Sequence, residues 1–358
     1  MVKILLVSAS LISGLVMFAA VVFFVGVEEI GKGLLEFAPL GAIPLVGLTM
    51  IGHVLNTIWW RSILGKIGII IPFIPLLKIE LVGYAGSYIT PVALIGGEAV
   101  RGYILREQYG VSWSKSVASM GIEKMIEASV LISTIFTGAI LFLMQSGISS
   151  LPKGILAFII SLVFLGVVVT VVYVSSFQKK SLVPLILKPF GLENSRGGKF
   201  LGEVEGEFHV FFSPENRTRI IGILKLVILK YAVLWLRNVF LLYYLLDVFS
   251  LGGGVITLGF SYIAYSFPTP AALGVHEGLL SLVFAGMGLG AGHGAVFSLL
   301  LRGVDVIIMS AGIFFFLRWG LGRLALETVK RLRLGSFGVN NNGTEKTRER
   351  DDKSNVRS

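Results

Sequence analysis

The chain has 358 residues, is 54% apolar and only 15% charged, and contains no cysteine. Soluble domains run near 45–50% apolar and 25% charged, so this balance, with a mean hydropathy of +0.84, excludes an ordinary water-soluble fold. Disulfides, thiol catalysis and cysteine metal sites are excluded with it. The net charge of +10 is not a nucleic-acid footprint, because the lysines and arginines flank apolar runs and crowd the C-terminal end, as expected of segments beside anionic lipid.

Taken in chain order, apolar spans fall at 4–27, 39–60, 117–144, 154–177, 219–246 and 295–317. Each is close to or above the roughly 20 residues a helix needs to cross about 30 Å of hydrocarbon. The first is too long for the apolar core of a signal peptide and reads as a span. Strand-like alternation is absent, so the predicted class is an all-α integral membrane protein, a polytopic helical bundle. Two further apolar stretches, 73–97 and 255–289, are broken by Gly and Pro, and Lys78 and Glu80 interrupt the first.

Charge orients these elements. The loop from Glu28 to Glu36 is acidic and reads as external, whereas Arg61, Lys66, Arg101, Arg106 and Lys115 read as cytoplasmic. Both flanks of 73–97 then face one side, so that segment enters the membrane and returns. Irregular backbone at such depth needs protein or a wet cavity around it. The basic loop 178–218 and the tail are likewise placed in the cytoplasm, as are both termini, which makes 255–289 re-entrant from outside or a pair of short crossings. Disorder is predicted for the polar end beyond 334.

An internal repeat is legible. Ser87, Thr90, Pro91, Ala93, Leu94 and Glu98 align with Ser266, Thr269, Pro270, Ala272, Leu273 and Glu277 at a constant offset of 179 residues. The same offset superposes the flanking spans. This divides the chain into membrane half-repeats at 1–150 and 151–320, followed by a basic tail at 321–358. An odd number of crossings per half inverts the second relative to the first, an architecture shared by many secondary transporters.

Thr-Pro suits the start of a helix. Thr90-Pro91 and Thr269-Pro270 are therefore expected to open half-helices whose positive ends favour an anion, with a phospholipid phosphate the obvious candidate. Gly96-Gly97 permits close approach. Glu98 and Arg101, three apart, form either an i,i+3 pair or, with Arg106, a basic rim for headgroups. Glu123, Lys124, Glu127, Arg302 and Asp305 lie inside spans, where unpaired charge costs several kcal/mol. The repeat offset sets Glu123 opposite Arg302 and predicts an ion pair between them, with Asp305 beside it. Arg237 is a further anion-binding candidate. His53 and Asn56 are expected to hydrogen-bond between helices, and His276 with Glu277 is too small a set for a metal. No protease, hydrolase or P-loop motif occurs, and no cofactor is implied.

The run from Pro91 to Arg101, then Tyr109-Gly110-Val111-Ser112 and Ile122-Glu123-Lys124, resembles the transmembrane domain of the bacterial lysylphosphatidylglycerol synthase/flippase family and related flippase-like membrane proteins. The segment Pro268 to Glu277 and Arg302 are similar to that family's second half, although Ala271-Ala272 stand where relatives often carry Gly-Gly. The resemblance implies a plasma-membrane protein that moves lipid headgroups, either anionic phospholipid or polyprenyl-linked sugar. Lipid lysinylation is not expected, because the polar tail stands where the synthases carry a soluble transferase domain. Expected partners are membrane lipids, a second copy of the chain, or a lipid- or glycan-modifying enzyme. The alternatives that the residues leave open are a carrier of small solutes or ions and a membrane enzyme or accessory subunit acting through Glu98, His276 and Glu277.

Overall fold

A computed structural model describes residues 39–89, 96–147, 155–267 and 269–338, with four isolated positions nearer the N-terminus. The predicted span 4–27 and the segment 90–95, which holds Thr90 and Pro91, lie outside the described residues. Every described element is helical, with no strand among them.

The helices in order are α1 (Pro39–Lys66), α2 (Phe73–Ile89), α3 (Glu98–Tyr109), α4 (Trp113–Ser146), α5 (Ile155–Phe177), α6 (Leu182–Leu187), α7 (Arg196–Phe211), α8 (Arg217–Leu246), α9 (Leu251–Tyr265), α10 (Val275–Gly286) and α11 (Ala291–Gly338). Among the described residues three stretches are long and apolar enough to cross a bilayer, Gly41–Lys66, Trp113–Ser146 and Ala291–Trp319. A fourth crossing arises if Pro214–Leu246 and Leu251–Tyr265, which meet at 112°, form one broken span. The predicted span 219–246 is thus counted only with its bent partner, and 154–177 coincides with α5, whose apolar stretch is Gly166–Phe177. These apolar helices make the chain a membrane protein.

The chain divides into two compact units, Met1–Gly312 and Ile313–Ser358. In the second, helix continues through Gly338, past Leu334, where the composition predicts disorder. Alternation of apolar and polar residues is too weak there to reveal a helix.

In the first unit, helix starts recur. α1 and α8 begin at Pro39 and Arg217, α2 and α9 at Phe73 and Leu251, α3 and α10 at Glu98 and Val275, α4 and α11 at Trp113 and Ala291, each pair 177 or 178 residues apart.

α2 and α3 pack tightly against each other. A Cβ on Gly97 would lie 1.7 Å from the carbonyl oxygen of Gly83, and one on Gly83 would strike the Arg101 side chain. Only glycine allows backbones this close, the usual device where helices pack in lipid. The Gly97 N–H donates to Ser87 Oγ at 2.8 Å and closes the crossing.

Packing then runs between the early and late helices. Gly138 of α4 abuts Val255 and Gly259 of α9, while Gly312 of α11 abuts Leu81 and Ala85 of α2. Beneath the first contact an apolar core gathers Leu45, Phe142, Leu241, Phe260, Phe284 and Phe297, with the Phe142 and Phe260 rings edge-on at 5.2 Å.

Candidate functional site

Two buried polar clusters interrupt this apolar interior. The larger is centred on Asn56 of α1. Its Nδ2 donates to Glu80 Oε1 of α2 and to Glu123 Oε1 of α4, each at 2.8 Å. Its Oδ1 accepts from Lys230 Nζ of α8 at 2.9 Å. A single amide with donors and acceptors on one planar group is suited to hold carboxylates on one side and an ammonium on the other.

Arg101 carries the neighbouring half of the network. Its Nη1 donates to Glu98 Oε2 at 2.9 Å and its Nη2 to Glu123 Oε2 at 2.6 Å, with Glu80 Oε2 at 3.4 Å. The guanidinium lies 3.7 Å above the Trp60 ring, which covers its remaining face. Lys124 reaches Glu98 at 3.5 Å and Glu127 at 3.2 Å, and Lys230 reaches Glu127 at 2.6 Å. Four carboxylates thus meet three cations, and His53 Nδ1 stands 3.7 Å from Glu80 Oε1.

Two sequence expectations are corrected here. Glu98 and Arg101 do pair, but Arg101 is only 3% exposed, so it belongs to the interior and not to a basic rim. Arg106, set against Trp113 at 5.7 Å, remains exposed alone. The predicted Glu123–Arg302 pair does not form, since Glu123 is taken by Arg101. The offset equates positions in two repeats, and equivalence does not require contact.

Arg302 instead binds Glu277. Its Nε contacts Glu277 Oε1, and its Nη2 donates to Oε2 at 3.2 Å. The same Oε2 accepts the Gly274 N–H at 2.8 Å. Glu277 therefore caps the first turn of α10 with its own carboxylate, and the positive end of that helix is already answered. Thr269 does not open the helix. Thr269-Pro270 leads into a single 3-10 turn, Pro270–Ala272, without a side-chain cap, and the Thr269 hydroxyl is buried without a partner. In that turn Ala271 and Ala272 take φ of 52° and 53°. An external anion at the α10 N-terminus is thus displaced by an internal one.

His276 hydrogen-bonds Ser298 through Nδ1 and stacks on Tyr265 with centroids 4.8 Å apart. Among the described residues no group of three metal-binding side chains assembles. Asp305 accepts from the Tyr265 hydroxyl at 3.0 Å and forms no ion pair with Arg302. Asn216, in an N-x-T sequon, is buried and donates to Val210 O, Phe211 O and Ser213 Oγ, which accounts for the asparagine locally.

Arg237 of α8 differs from the other buried cations. It is 7% exposed, and among the described residues it donates only to the neutral Thr49 Oγ1 at 3.2 Å and Asn238 Oδ1 at 3.4 Å, with no acceptor for its Nε. Its sequence signal, a lone arginine in an apolar span, is visible. The role of Asn56, Glu80 and Lys230 as the junction of the larger cluster is not, because no spacing rule links three helices.

No curated protein and no solved structure matches the chain. Residues 6–312 match the family described as the lysylphosphatidylglycerol synthase TM region, a span that takes in both polar clusters. With the glycine crossing, the capping Glu277 and the buried Arg302 all inside the matched region, the chain belongs to the lysylphosphatidylglycerol synthase TM region family.

Proposed function

We propose that the protein is a flippase-like translocator that carries the headgroup of an anionic phospholipid or polyprenyl-linked lipid across the plasma membrane. In this reading the chain is two inverted half-repeats with six full spans, two re-entrant segments and both termini in the cytoplasm. The recurrence of helix starts and the close α2–α3 crossing support that architecture. The protein moves lipid and does not modify it.

One observation carries the reading: among the described residues the Arg237 guanidinium, buried in an apolar helix, hydrogen-bonds only to neutral groups, and Asp305 acts on it through space without bonding to it. A buried guanidinium whose carboxylate neighbour is not in contact with it is incompletely compensated, at a cost that can reach several kcal/mol, and an anionic headgroup entering between α1 and α8 offsets that cost. The Gly96-Gly97 and Thr269-Pro270 breaks flank the route, and the paired charges around Arg101 and Arg302 hold its walls.

The test is translocation of fluorescent phosphatidylglycerol in proteoliposomes. The wild-type protein is expected to exceed protein-free vesicles, and Arg237→Gln to fall by about tenfold or more, the equivalent of one charge-assisted hydrogen bond. Equal rates with and without protein, across anionic and glycosylated lipids, reject the proposal.

A further inference from the structure

The segment between α5 and α7 carries an exposed surface that the translocation reading does not use. α5 ends at Phe177, itself exposed, after a run of outward apolar side chains that includes Phe164, Val167, Val171 and Val174. The chain then turns through Lys179 and Lys180 into the short helix α6. From there Leu185 is 71% exposed, Ile186 59%, Phe190 73% and Leu192 50%. Four large apolar side chains in eight residues is far more than a soluble loop displays, and Pro184, Leu185, Lys188 and Pro189 line one shallow concavity on it.

This surface is built, not slack. Glu205 of α7 accepts from the backbone N–H of Val183 at 3.3 Å and also from Leu182 N and the Ser181 hydroxyl. That fixes α6 to α7. α7 is fixed in turn to the membrane helices, since the Phe208 ring sits against Gly121 of α4 and Phe212 stacks edge-on with Tyr173 of α5 at 5.3 Å. The apolar side chains are therefore presented on a braced platform.

The charge around them names the occupant. Lys179, Lys180, Lys188, Arg196 and Lys199 flank the apolar group along the chain, with Glu193 the single acid between Phe177 and Phe200, and of the glutamates that follow on α7 Glu205 is taken up by the α6 backbone. Apolar side chains flanked by lysine are the composition of segments that lie in the headgroup region of an anionic leaflet. Continuity adds to this, because α6 begins at Leu182, directly after the apolar helix α5 ends at Phe177.

We infer that residues 182–192 form a membrane-surface foot, which inserts Leu185, Ile186 and Phe190 among the headgroups of an anionic leaflet while Lys179, Lys180 and Lys188 contact lipid phosphate. The inference is independent of whether the protein translocates lipid. A protein partner or a second copy of the chain is the competing occupant.

The absence of cysteine permits a direct test on the full chain. Phe190→Cys and Leu185→Cys are each labelled with an environment-sensitive fluorophore, with Glu203→Cys on the exposed side of α7 as reference. The labelled proteins are placed singly in nanodiscs of phosphatidylcholine with or without phosphatidylglycerol. The foot predicts blue-shifted emission and several-fold weaker iodide quenching at 190 and 185 than at 203 in the anionic discs. It also predicts loss of that protection when Lys179, Lys180 and Lys188 are changed together to Gln. Water-like emission with full quenching in both lipids overturns the inference. So does protection that appears only when two copies share a disc.

Discussion

Glu123 lies 2.6 Å from Arg101 and not against Arg302, its counterpart 179 residues along the chain. Each of these two residues is held by the short helix that precedes its own span: Glu123 by Arg101 of α3, and Arg302 by Glu277 of α10. The charges are transposed between the halves, with the acid on the long helix in the first and on the short helix in the second. The two halves thus share one device, a short helix locked to the next long helix by an ion pair, with its signs exchanged.

Double-mutant cycles separate these pairings. Removing one partner of a buried pair costs about 3–5 kcal/mol, because the other charge is left stranded. Arg101→Ala and Glu123→Gln are each expected to lower the unfolding midpoint in mild detergent, and the double variant to lose much less than their sum. Glu123→Gln with Arg302→Gln, which share no contact, should add to within about 0.5 kcal/mol. Strong coupling in the second cycle would restore the pairing that the repeat alone suggests.

The α2–α3 crossing makes a sharper demand. Gly97→Ala places a methyl carbon 1.7 Å from the Gly83 carbonyl oxygen, a backbone atom that cannot swing aside. The crossing must open, with a loss of roughly 1–3 kcal/mol or more, the scale of an overpacked core. Gly47→Ala is the control, since a Cβ there meets nothing within 4 Å and alanine favours the helix by about 1 kcal/mol. Thermal unfolding of the two variants should shift in opposite directions. A neutral Gly97→Ala would mean that the helices do not cross this closely.

The sequence makes the spans and breaks legible for physical reasons that the structure bears out. Apolar runs at 39–60, 117–144 and 295–317 lie within long helices because length and hydropathy alone decide whether a helix can cross lipid. The partners of the buried charges were not legible. Glu80 reads as a polar interruption of an apolar stretch, and only the rotation of α2 against α1 and α4 turns it toward Asn56. Nor does Thr269-Pro270 act as a helix start, although a competing signal was present: Gly274 stands three residues before Glu277, the spacing of a capping box, and Glu277 closes on the Gly274 N–H.

The turn before α10 supplies the last prediction. Ala271 and Ala272 both hold left-handed backbone, with φ near +52° and +53°, a conformation that costs an L-residue about 1–2 kcal/mol. Glycine removes that cost but gives back roughly 0.4–1 kcal/mol through the greater freedom of the unfolded chain. Ala271 is partly exposed, so Ala271→Gly should gain up to about 1 kcal/mol, read as a higher unfolding midpoint. Ala272 is fully buried, and deleting its methyl forfeits about 0.8 kcal/mol of apolar burial, which leaves Ala272→Gly close to neutral. The difference between the two variants is the diagnostic quantity, because both relieve the same backbone and only one empties the core. If Ala271→Gly destabilises instead, the chain does not take this left-handed turn, and the approach of Pro270 to α10 must differ.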